Sequence, residues 1–161
     1  MNVERIKRAD HNLSAVEDIT SLFIAYRQFY GRTGDEGEAT SFMRRRIQSG
    51  DSIIWYLVID DRTAGFCQVY PGHSSIQLTT EWCLNDVFVT KAARGTGGGR
   101  LLVSQVLADA VEAGAQAVWL ETAPANTAAR SLYESLGFIE TPASDTKAFL
   151  TYRHTLGGHH A

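Results

Sequence analysis

The sequence predicts an α+β fold, a mixed α/β sandwich in which helices pack against a central sheet. Three apolar segments with strand-like composition follow one another between residues 52 and 89, which is typical of an antiparallel meander. A glycine-rich turn, an amphipathic helix and a short buried strand come next and form a βαβ-like unit with the last of these segments. Because a meander is followed by strands that alternate with helices, a purely parallel, doubly wound sheet is not expected.

Two helices are predicted before the sheet. Residues 10–30 carry apolar side chains at helical spacing, and Gly31 follows as a stop signal. The apolar positions of this first helix are Val16, Ile19, Phe23, Tyr26 and Tyr30. A polar, glycine-rich loop is predicted over residues 31–38, and a short second helix over residues 39–48 ends at Gly50.

The rest of the chain alternates strands, turns and helices. The meander is predicted to have strands at residues 52–59, 64–70 and 79–89, with turns at 60–63 and 71–74. An apolar stripe predicts a helix over residues 97–114, and a short buried strand follows at 117–120. The last predicted elements are a helix at 126–136, a short extended segment at 138–139 and a strand at 149–154.

Length and composition fit one domain over residues 1–161. The chain has 161 residues, of which 44% are hydrophobic and 20% charged, and these values suit a globular protein with a single core. A formal net charge of −3 argues against general nucleic-acid binding and suits a cationic or neutral small substrate. No apolar run approaches the roughly 20 residues of a membrane span, so we expect a cytoplasmic protein without membrane contact.

The two cysteines are expected to be buried, reduced thiols. Cys67 and Cys83 have neither the spacing of metal ligands nor the density of a disulfide scaffold. We therefore expect no metal cofactor.

The turn before the long helix is predicted to bind a phosphorylated ligand. Four glycines fall within five positions, at Gly95 and residues 97–99, immediately before the apolar stripe begins. A helix start presents unpaired N–H groups and a positive dipole end, and glycines let an anion approach closely. The dinucleotide pattern G-x-G-x-x-G fails because its last position is Arg100, and the Gly-Lys-Ser/Thr ending of a Walker A loop is missing. A flexible helix-initiating turn is the other interpretation.

Two sequence signatures together resemble those of the GNAT superfamily of N-acetyltransferases. Arg94-x-x-Gly97-x-Gly99 follows an apolar strand and resembles the acyl-CoA motif R/Q-x-x-G-x-G/A of that superfamily. The second signature resembles N-x-x-A-x-x-L-Y-x-x-x-G-F and runs from Asn126 through Tyr133 to Phe138. The resemblance covers residues 52–138, as the acyl-CoA-binding core, and implies that helices over residues 10–50 border the acceptor. Residues 84–89 are most similar to the small histone and D-amino-acid acetyltransferase branch.

The resemblance implies a mostly antiparallel central sheet with two splayed strands, flanked by helices, and acetyl-CoA as co-substrate. The pantetheine arm would lie along the backbone of Val87, Phe88 and Val89. The pyrophosphate would be wrapped by backbone amides at the start of the long helix, with an arginine side chain nearby. The residues implied there are Arg94, Gly95, Thr96, Gly97, Gly98, Gly99 and Arg100. Asn126 would contact the pantetheine, although it also stands where a helix N-cap is expected.

The resemblance also implies a catalytic role for Tyr133, whose hydroxyl would protonate the departing thiolate. An inward aromatic side chain on an amphipathic helix is the alternative. The attacking amine must first lose a proton, because a lysine-like amine has a pKa of about 10.4. Several relatives carry glutamate at the catalytic position of Asn85, and an amide cannot accept that proton. Glu81 lies on the same strand face and is expected to accept it through water, whereas Asp86 points away unless a β-bulge re-aims it.

The predicted function is acetyl transfer from acetyl-CoA to a primary amine of a small molecule such as an amino acid or polyamine. The amine would attack the thioester directly in a ternary complex, with a backbone N–H of Val87 or Phe88 stabilising the oxyanion. Tyr26 and Tyr30 are expected to border the acceptor. The alternatives are a non-catalytic acyl-CoA-binding module and a protein-tail lysine acetyltransferase, and the superfamily resemblance is compatible with a homodimer.

Overall fold

The computed structural model describes residues 4–9, 15–142 and 149–157, which form one seven-stranded sheet with helices on both faces. The sheet order is β1-β2-β3-β4-β5-β7-β6. The strands are β1 (Glu4–Arg8), β2 (Ile53–Ile59), β3 (Arg62–Ser74), β4 (Thr79–Val89), β5 (Ala117–Thr122), β6 (Ile139–Glu140) and β7 (Leu150–Thr155). The helices are α1 (Val16–Phe29), α2 (Glu36–Ser49), α3 (Gly98–Glu112) and α4 (Thr127–Ser135), and a 3-10 turn spans Lys91–Ala93. The predicted α+β sandwich is confirmed.

Each face of the sheet has its own apolar core. On one face, buried residues of α3 such as Leu102 and Val106 pack with the sheet residues Trp55 and Leu57. On the other face, buried residues of α1 and α2 such as Ile19, Phe23 and Met43 pack against the sheet. Their partners from the strands are Ile54, Phe66 and Phe88. The helices therefore cover opposite faces of the meander, and each side of the sheet can carry a different part of a site.

Strands β4 and β5 are parallel neighbours that separate halfway along. Their recorded pairs are Glu81–Ala117, Trp82–Val118 and Cys83–Trp119. In the described part of the chain no pair joins them beyond Cys83, although β4 continues to Val89 and β5 to Thr122. All other neighbouring strands are antiparallel. A wedge therefore opens between the two parallel strands at their carboxyl ends.

A β-bulge lies at the start of this wedge. Gln68 of β3 pairs with Asp86, whereas its neighbour Val69 pairs with Leu84, so Asn85 is the extra residue on β4. Leu84 packs with the α3 core, but Phe88 packs with the α1 and α2 core. Because of the extra residue, even-numbered side chains of β4 face α3 before the bulge and face α1 after it.

The structure corrects the sequence prediction in several places. β1 was not predicted, and β3 continues through the turn predicted at residues 71–74. That turn prediction is wrong because β3 tolerates Pro71. Strand β2 pairs with β3 only as far as Val69, so at Pro71 the neighbour of β3 is β4 alone. The missing N–H of proline therefore costs no hydrogen bond on the side where β2 has ended. Helix α2 begins at Glu36 rather than at residue 39, and acidic side chains in its first turn favour that start. The predicted start of α1 at residues 10–14 lies outside the described residues.

The other predicted elements lie within two residues of their observed bounds, and residues 79–89 coincide with β4. In the ranges that the structure describes, no helix has the length and hydropathy needed to cross a membrane.

Candidate active site

The wedge between β4 and β5 opens into a cavity of about 440 Å³. Its walls come from the second half of β4, the end of β5, the glycine turn before α3, helix α4 and the C-terminal end of α1. The lining includes Tyr26, Tyr30, Asn85, Val87, Phe88, Val89, Arg94, Gly95, Gly99, Glu121, Asn126 and Tyr133. Two segments far apart in the sequence, the glycine turn and α4, therefore meet at one cavity.

The glycine turn presents open backbone at the start of α3. Gly95 and Gly97 have φ values of 78° and 91°, a left-handed conformation that glycine adopts without a steric penalty. Gly97 is the N-cap of α3 and so supplies no capping side chain for the first N–H groups. A Cβ on Gly98 would collide with Cδ2 of the buried Leu57, so glycine at this position lets α3 pack closely on β2. The turn is consequently a helix N-terminus with its donors directed at the cavity edge.

Two arginine side chains border this turn. The Nε of Arg94 donates to the carbonyl oxygen of Val89 at 3.2 Å, and its guanidinium lies 5.5 Å from the ring centroid of Phe29 and 5.9 Å from that of Phe88. Arg100 donates to the hydroxyl of Ser135 on α4. Positive charge therefore lies at both ends of the glycine turn, which favours an anionic ligand.

Asn126 and Tyr133 enter the cavity from α4. Asn126 is the N-cap of this helix, and its side-chain oxygen accepts a hydrogen bond from the backbone N–H of Ala129 at 3.3 Å. Tyr133 lies about two helical turns further along the same side of α4. It is 7% exposed and packs with Phe138 and Tyr152 at centroid distances of 5.7 and 6.3 Å. Burial raises the pKa of Tyr133 above its ordinary 10.0, so its hydroxyl stays protonated at neutral pH.

An aromatic cluster at the end of α1 closes the other side of the cavity. Tyr26 lies within 5.1 to 6.3 Å, between ring centroids, of Phe23, Tyr30, Phe66 and Phe88. Tyr30 is exposed and continues the cluster outward. Burial and the neighbouring Asp86 raise the pKa of Tyr26, which is therefore neutral at physiological pH. The structure thus brings together Tyr26, Tyr30 and Tyr133, as the sequence analysis expects.

Glu81 does not line this cavity. Both of its carboxylate oxygens accept hydrogen bonds from Arg153 of β7, at 2.9 and 2.7 Å, and Thr79 donates a further one. The pair with Arg153 lowers the pKa of Glu81. A carboxylate held by arginine is a weak base, so this geometry argues against the water-mediated role that the sequence suggested for Glu81. Strand alternation put Glu81 and Asn85 on one face of β4, but Asn85 is the extra residue of the bulge and does not follow that alternation.

Asn85 does line the cavity, and the bulge directs Asp86 to the α1 side of the sheet. Nδ2 of Asn85 donates to Oδ1 of Asp86 at 3.1 Å, and Nε2 of Gln68 donates to Oδ2 at 2.8 Å. Gln68 is completely buried and was missed by the sequence analysis. A lone amide inside the apolar run of residues 66–69 was the signal that could have revealed it.

The cysteines do not supply a nucleophile. Cys67 is buried, and burial raises the pKa of its thiol. Burial, with a smaller contribution from Asp86, raises the pKa of Cys83 to about 11. Both thiols are protonated near pH 7, whereas an acyl-enzyme route requires a thiolate.

A larger cleft of about 690 Å³ lies between α1 and α2 and is lined by residues such as Arg27, Asp35 and Phe42. It contains neither the glycine turn nor Tyr133. The wedge, not this cleft, combines an anion-binding helix start with buried polar groups, so it is the candidate active site.

Comparison with known proteins agrees with this geometry. A model of the acetyltransferase (GNAT) family matches residues 17–138. The chain is 35% identical over 140 residues to the uncharacterized N-acetyltransferase YhfO of Bacillus subtilis (strain 168), which is 87% of this chain and 91% of that protein. It is 33% identical to a probable acetyltransferase of known crystal structure, with a TM-score of 0.79 over 88% of this chain and 99% of that one.

The fold is also that of an aminoglycoside N-acetyltransferase, AAC(6')-Iy, solved in complex with CoA. The TM-score is 0.76 at 17% identity, over 91% of this chain and 95% of that one. The wedge, the glycine turn and the family match together show that the chain belongs to the acetyltransferase (GNAT) family and is an N-acetyltransferase, with acetyl-CoA as the acetyl donor.

Proposed function

We propose that the protein transfers the acetyl group of acetyl-CoA to a primary amine of a small molecule, by direct attack within a ternary complex. The observation that carries the proposal is the joining of the glycine turn and Tyr133 in a single cavity between diverging strands. One end of that cavity suits a pyrophosphate, and the other presents a protonated phenol beside unpaired strand backbone.

The donor is proposed to lie along β4 with its pyrophosphate at the start of α3. Backbone N–H groups of Arg94 to Gly99 would bind the phosphates, and the side chain of Arg100 would add charge. The pantetheine would pair with the backbone of Val87, Phe88 and Val89 on the side that β5 leaves open. Nε of Arg94 donates to the carbonyl oxygen of Val89, so donor binding along β4 would displace that hydrogen bond. Asn126 would serve mainly as the N-cap that fixes α4 beside the ligand.

Tyr133 is proposed as the general acid. When the amine nitrogen bonds to the thioester carbon and the carbon–sulfur bond breaks, the thiolate would take the proton of the Tyr133 hydroxyl. An N–H of Val87 or Phe88 would stabilise the oxyanion before that step. Tyr26 and Tyr30 would border the acceptor, since an ammonium group is attracted to aromatic faces.

A small acceptor fits the confined cavity, and the formal charge of −3 favours a cationic one. The similarity of residues 84–89 favours the small histone and D-amino-acid acetyltransferase branch. Residues 52–138 would form the acyl-CoA core of one domain spanning residues 1–161, with residues 10–50 on the acceptor side.

Homodimer formation and a cytoplasmic location stay predictions. Light scattering on the purified chain tests homodimer formation.

Thiol release from acetyl-CoA tests this function directly. The acceptor panel is L-lysine, spermidine, kanamycin and a peptide with a free N-terminus and an internal lysine. Release with at least one of the three small amines, faster than with the peptide, is the expected result. Release with the peptide alone would favour a protein-tail acetyltransferase.

Calorimetric titration with CoA, together with the thiol-release assay, distinguishes the enzyme from the remaining alternative, a non-catalytic acyl-CoA-binding module. Tight binding without thiol release from any acceptor would support that module, because Asn85 stands where a catalytic carboxylate would otherwise lie. No heat from CoA would contradict both the enzyme and the module.

A further inference from the structure

Asp86 is a buried carboxylate that the bulge at Asn85 directs to the face of the sheet covered by α1. It is 4% exposed and lies on the same side of β4 as Phe88, beneath the aromatic cluster of Tyr26. Without the extra residue, strand alternation would direct the Asp86 side chain into the α3 core. The β-bulge at Asn85 is therefore what brings the Asp86 carboxylate to the α1 side of the sheet.

A chain of hydrogen bonds fixes the carboxylate. The hydroxyl of Ser52 donates to Oε1 of Gln68 at 2.8 Å, which leaves Nε2 of Gln68 to donate to Asp86. Asn85 donates to the second carboxylate oxygen. The hydroxyl of Tyr26 lies close enough to Asp86 to lower the pKa of that carboxyl. Tyr26 and Asn85 line the cavity whereas Asp86 does not. The Tyr26 hydroxyl is thus the link between the cavity and the buried carboxylate.

Stability alone does not account for this arrangement. Burial raises the pKa of Asp86, while hydrogen bonds from Gln68, Asn85 and Tyr26 lower it, and no cation contributes among the described residues. Burying a carboxylate without a cation destabilises the folded state. Proteins in which apolar side chains of similar volume replace buried charged groups are often no less stable. Such groups cluster where a protein needs a proton acceptor near neutral pH.

The groups that face Asp86 are neutral near pH 7. From α1, β3 and β4, the titratable side chains coupled to it are Tyr26, Tyr30, Cys67, Tyr70 and Cys83. Beyond them, Arg46 and Asp51 face Tyr70, and Glu121 of β5 faces Cys83. Asp86 is consequently the anionic group that the Tyr26 hydroxyl contacts directly.

We propose that Tyr26 and Asp86 form a relay that removes one proton from the acceptor ammonium before it attacks the thioester. The proposal rests on the proposed amine acetyltransferase function. The ammonium N–H bond breaks and its electron pair stays on nitrogen, while the proton passes to the Tyr26 oxygen. The Tyr26 O–H bond breaks in the same step, and that proton passes to Asp86. After product release, protonated Asp86 gives its proton back through Tyr26 to water.

Burial makes this transfer feasible. In water the proton would move from an amine of pKa about 10.4 to a carboxylate of pKa about 3.9, which is strongly unfavourable. In a dry cavity desolvation lowers the amine pKa and raises the carboxyl pKa, because both charged forms are disfavoured there. Tyr26 acts on the amine, and Asp86 is a positioning residue that acts through Tyr26.

The pH dependence of kcat/KM tests the relay in Asp86→Asn and Tyr26→Phe, with the best acceptor of the panel. We expect each variant to lose about 10²-fold near pH 7. The loss should shrink below about threefold by pH 9.5, where the free amine is abundant. Asp109→Asn is the matched control, since Asp109 accepts hydrogen bonds from Trp55 and Gln105 on the α3 side. Its pH profile should match the wild type.

A loss of equal size at every pH, or none, would overturn the relay. If the wild type releases no thiol with any acceptor, the proposed function fails first. Carbon NMR titration of the aspartate carboxyls needs no acceptor, with Asp86→Asn to assign the signal. The Asp86 pKa should lie above its ordinary value and rise further in Tyr26→Phe, which keeps the ring packing. An ordinary value, or no response to Tyr26→Phe, would also overturn the relay.

Discussion

At the scale of single residues, burial decides what each polar side chain in the wedge can do. Tyr133 is buried, and burial raises its pKa, so its hydroxyl carries a proton throughout the neutral range. Glu81 is held by Arg153 and keeps its charge to low pH. The same β4 strand thus carries one carboxylate committed to an ion pair and another, Asp86, whose burial raises its pKa.

Tyr133→Phe is expected to lower kcat by about 10²-fold, because general acid catalysis is worth roughly 10² to 10⁴. Ring packing with Phe138 and Tyr152 is retained, so the free energy of unfolding and the calorimetric affinity for CoA should stay near wild type. Initial rates of thiol release measure the effect. A kcat within threefold of wild type would remove Tyr133 from the mechanism.

Glu81→Gln is expected to reduce the free energy of unfolding by about 1 kcal/mol at pH 7, as for a partly buried charged pair. The folded pKa of Glu81 is lowered, so the contribution is complete above the unfolded pKa of about 4.5 and disappears as pH falls through the folded pKa. Urea unfolding at pH 7 and at pH 2 should therefore show a difference only at pH 7. The rate of thiol release should change less than threefold, and a 10²-fold loss would restore the base role.

At the scale of elements, local patterns predicted the helices and central strands, but tertiary pairing set the details. Residues 79–89 are rich in β-branched and aromatic side chains and coincide with β4. β1 escaped prediction because Ile6 is its one apolar side chain between charged neighbours, as is common at a sheet edge. The bulge at Asn85 depends on the register with β3, so nothing within β4 itself could reveal it.

In the candidate site too, features set by local sequence were predictable, whereas contacts between distant segments were not. The glycine turn, Asn126 and Tyr133 were predictable because signature spacing fixes them along one helix or turn. The ion pair of Glu81 and the role of Gln68 were not predicted, because their partners Arg153 and Asp86 are distant in sequence. Side-chain networks across strands are therefore the part of this site that the sequence did not predict.

Packing of α3 on β2 depends on Gly98. Gly98→Ala would force its Cβ against the buried Leu57, so we expect a loss of about 1 to 3 kcal/mol in the free energy of unfolding and weaker CoA binding. Gly37→Ala is the matched control, since a Cβ there meets nothing within 4 Å and α2 gains about 0.4 to 1 kcal/mol. Chemical denaturation measures both. Equal stability of the two variants would contradict the close approach of α3 to β2.

At the scale of the whole molecule, the two apolar cores position the two halves of the reaction. The α3 and α4 side carries the glycine turn and Tyr133, and the α1 side carries Tyr26 and Asp86. The wedge between β4 and β5 is where both sides of the sheet reach one cavity. Direct attack of an amine on a thioester needs this convergence, because both reactants must be held in line.

Amide hydrogen exchange with and without CoA tests the wedge most directly. We expect CoA to slow exchange in residues 84–89 and 94–100, while residues 36–49 of α2 exchange as before. Unchanged exchange in both wedge segments at saturating CoA, or protection confined to the cleft between α1 and α2, would contradict binding of CoA in the wedge.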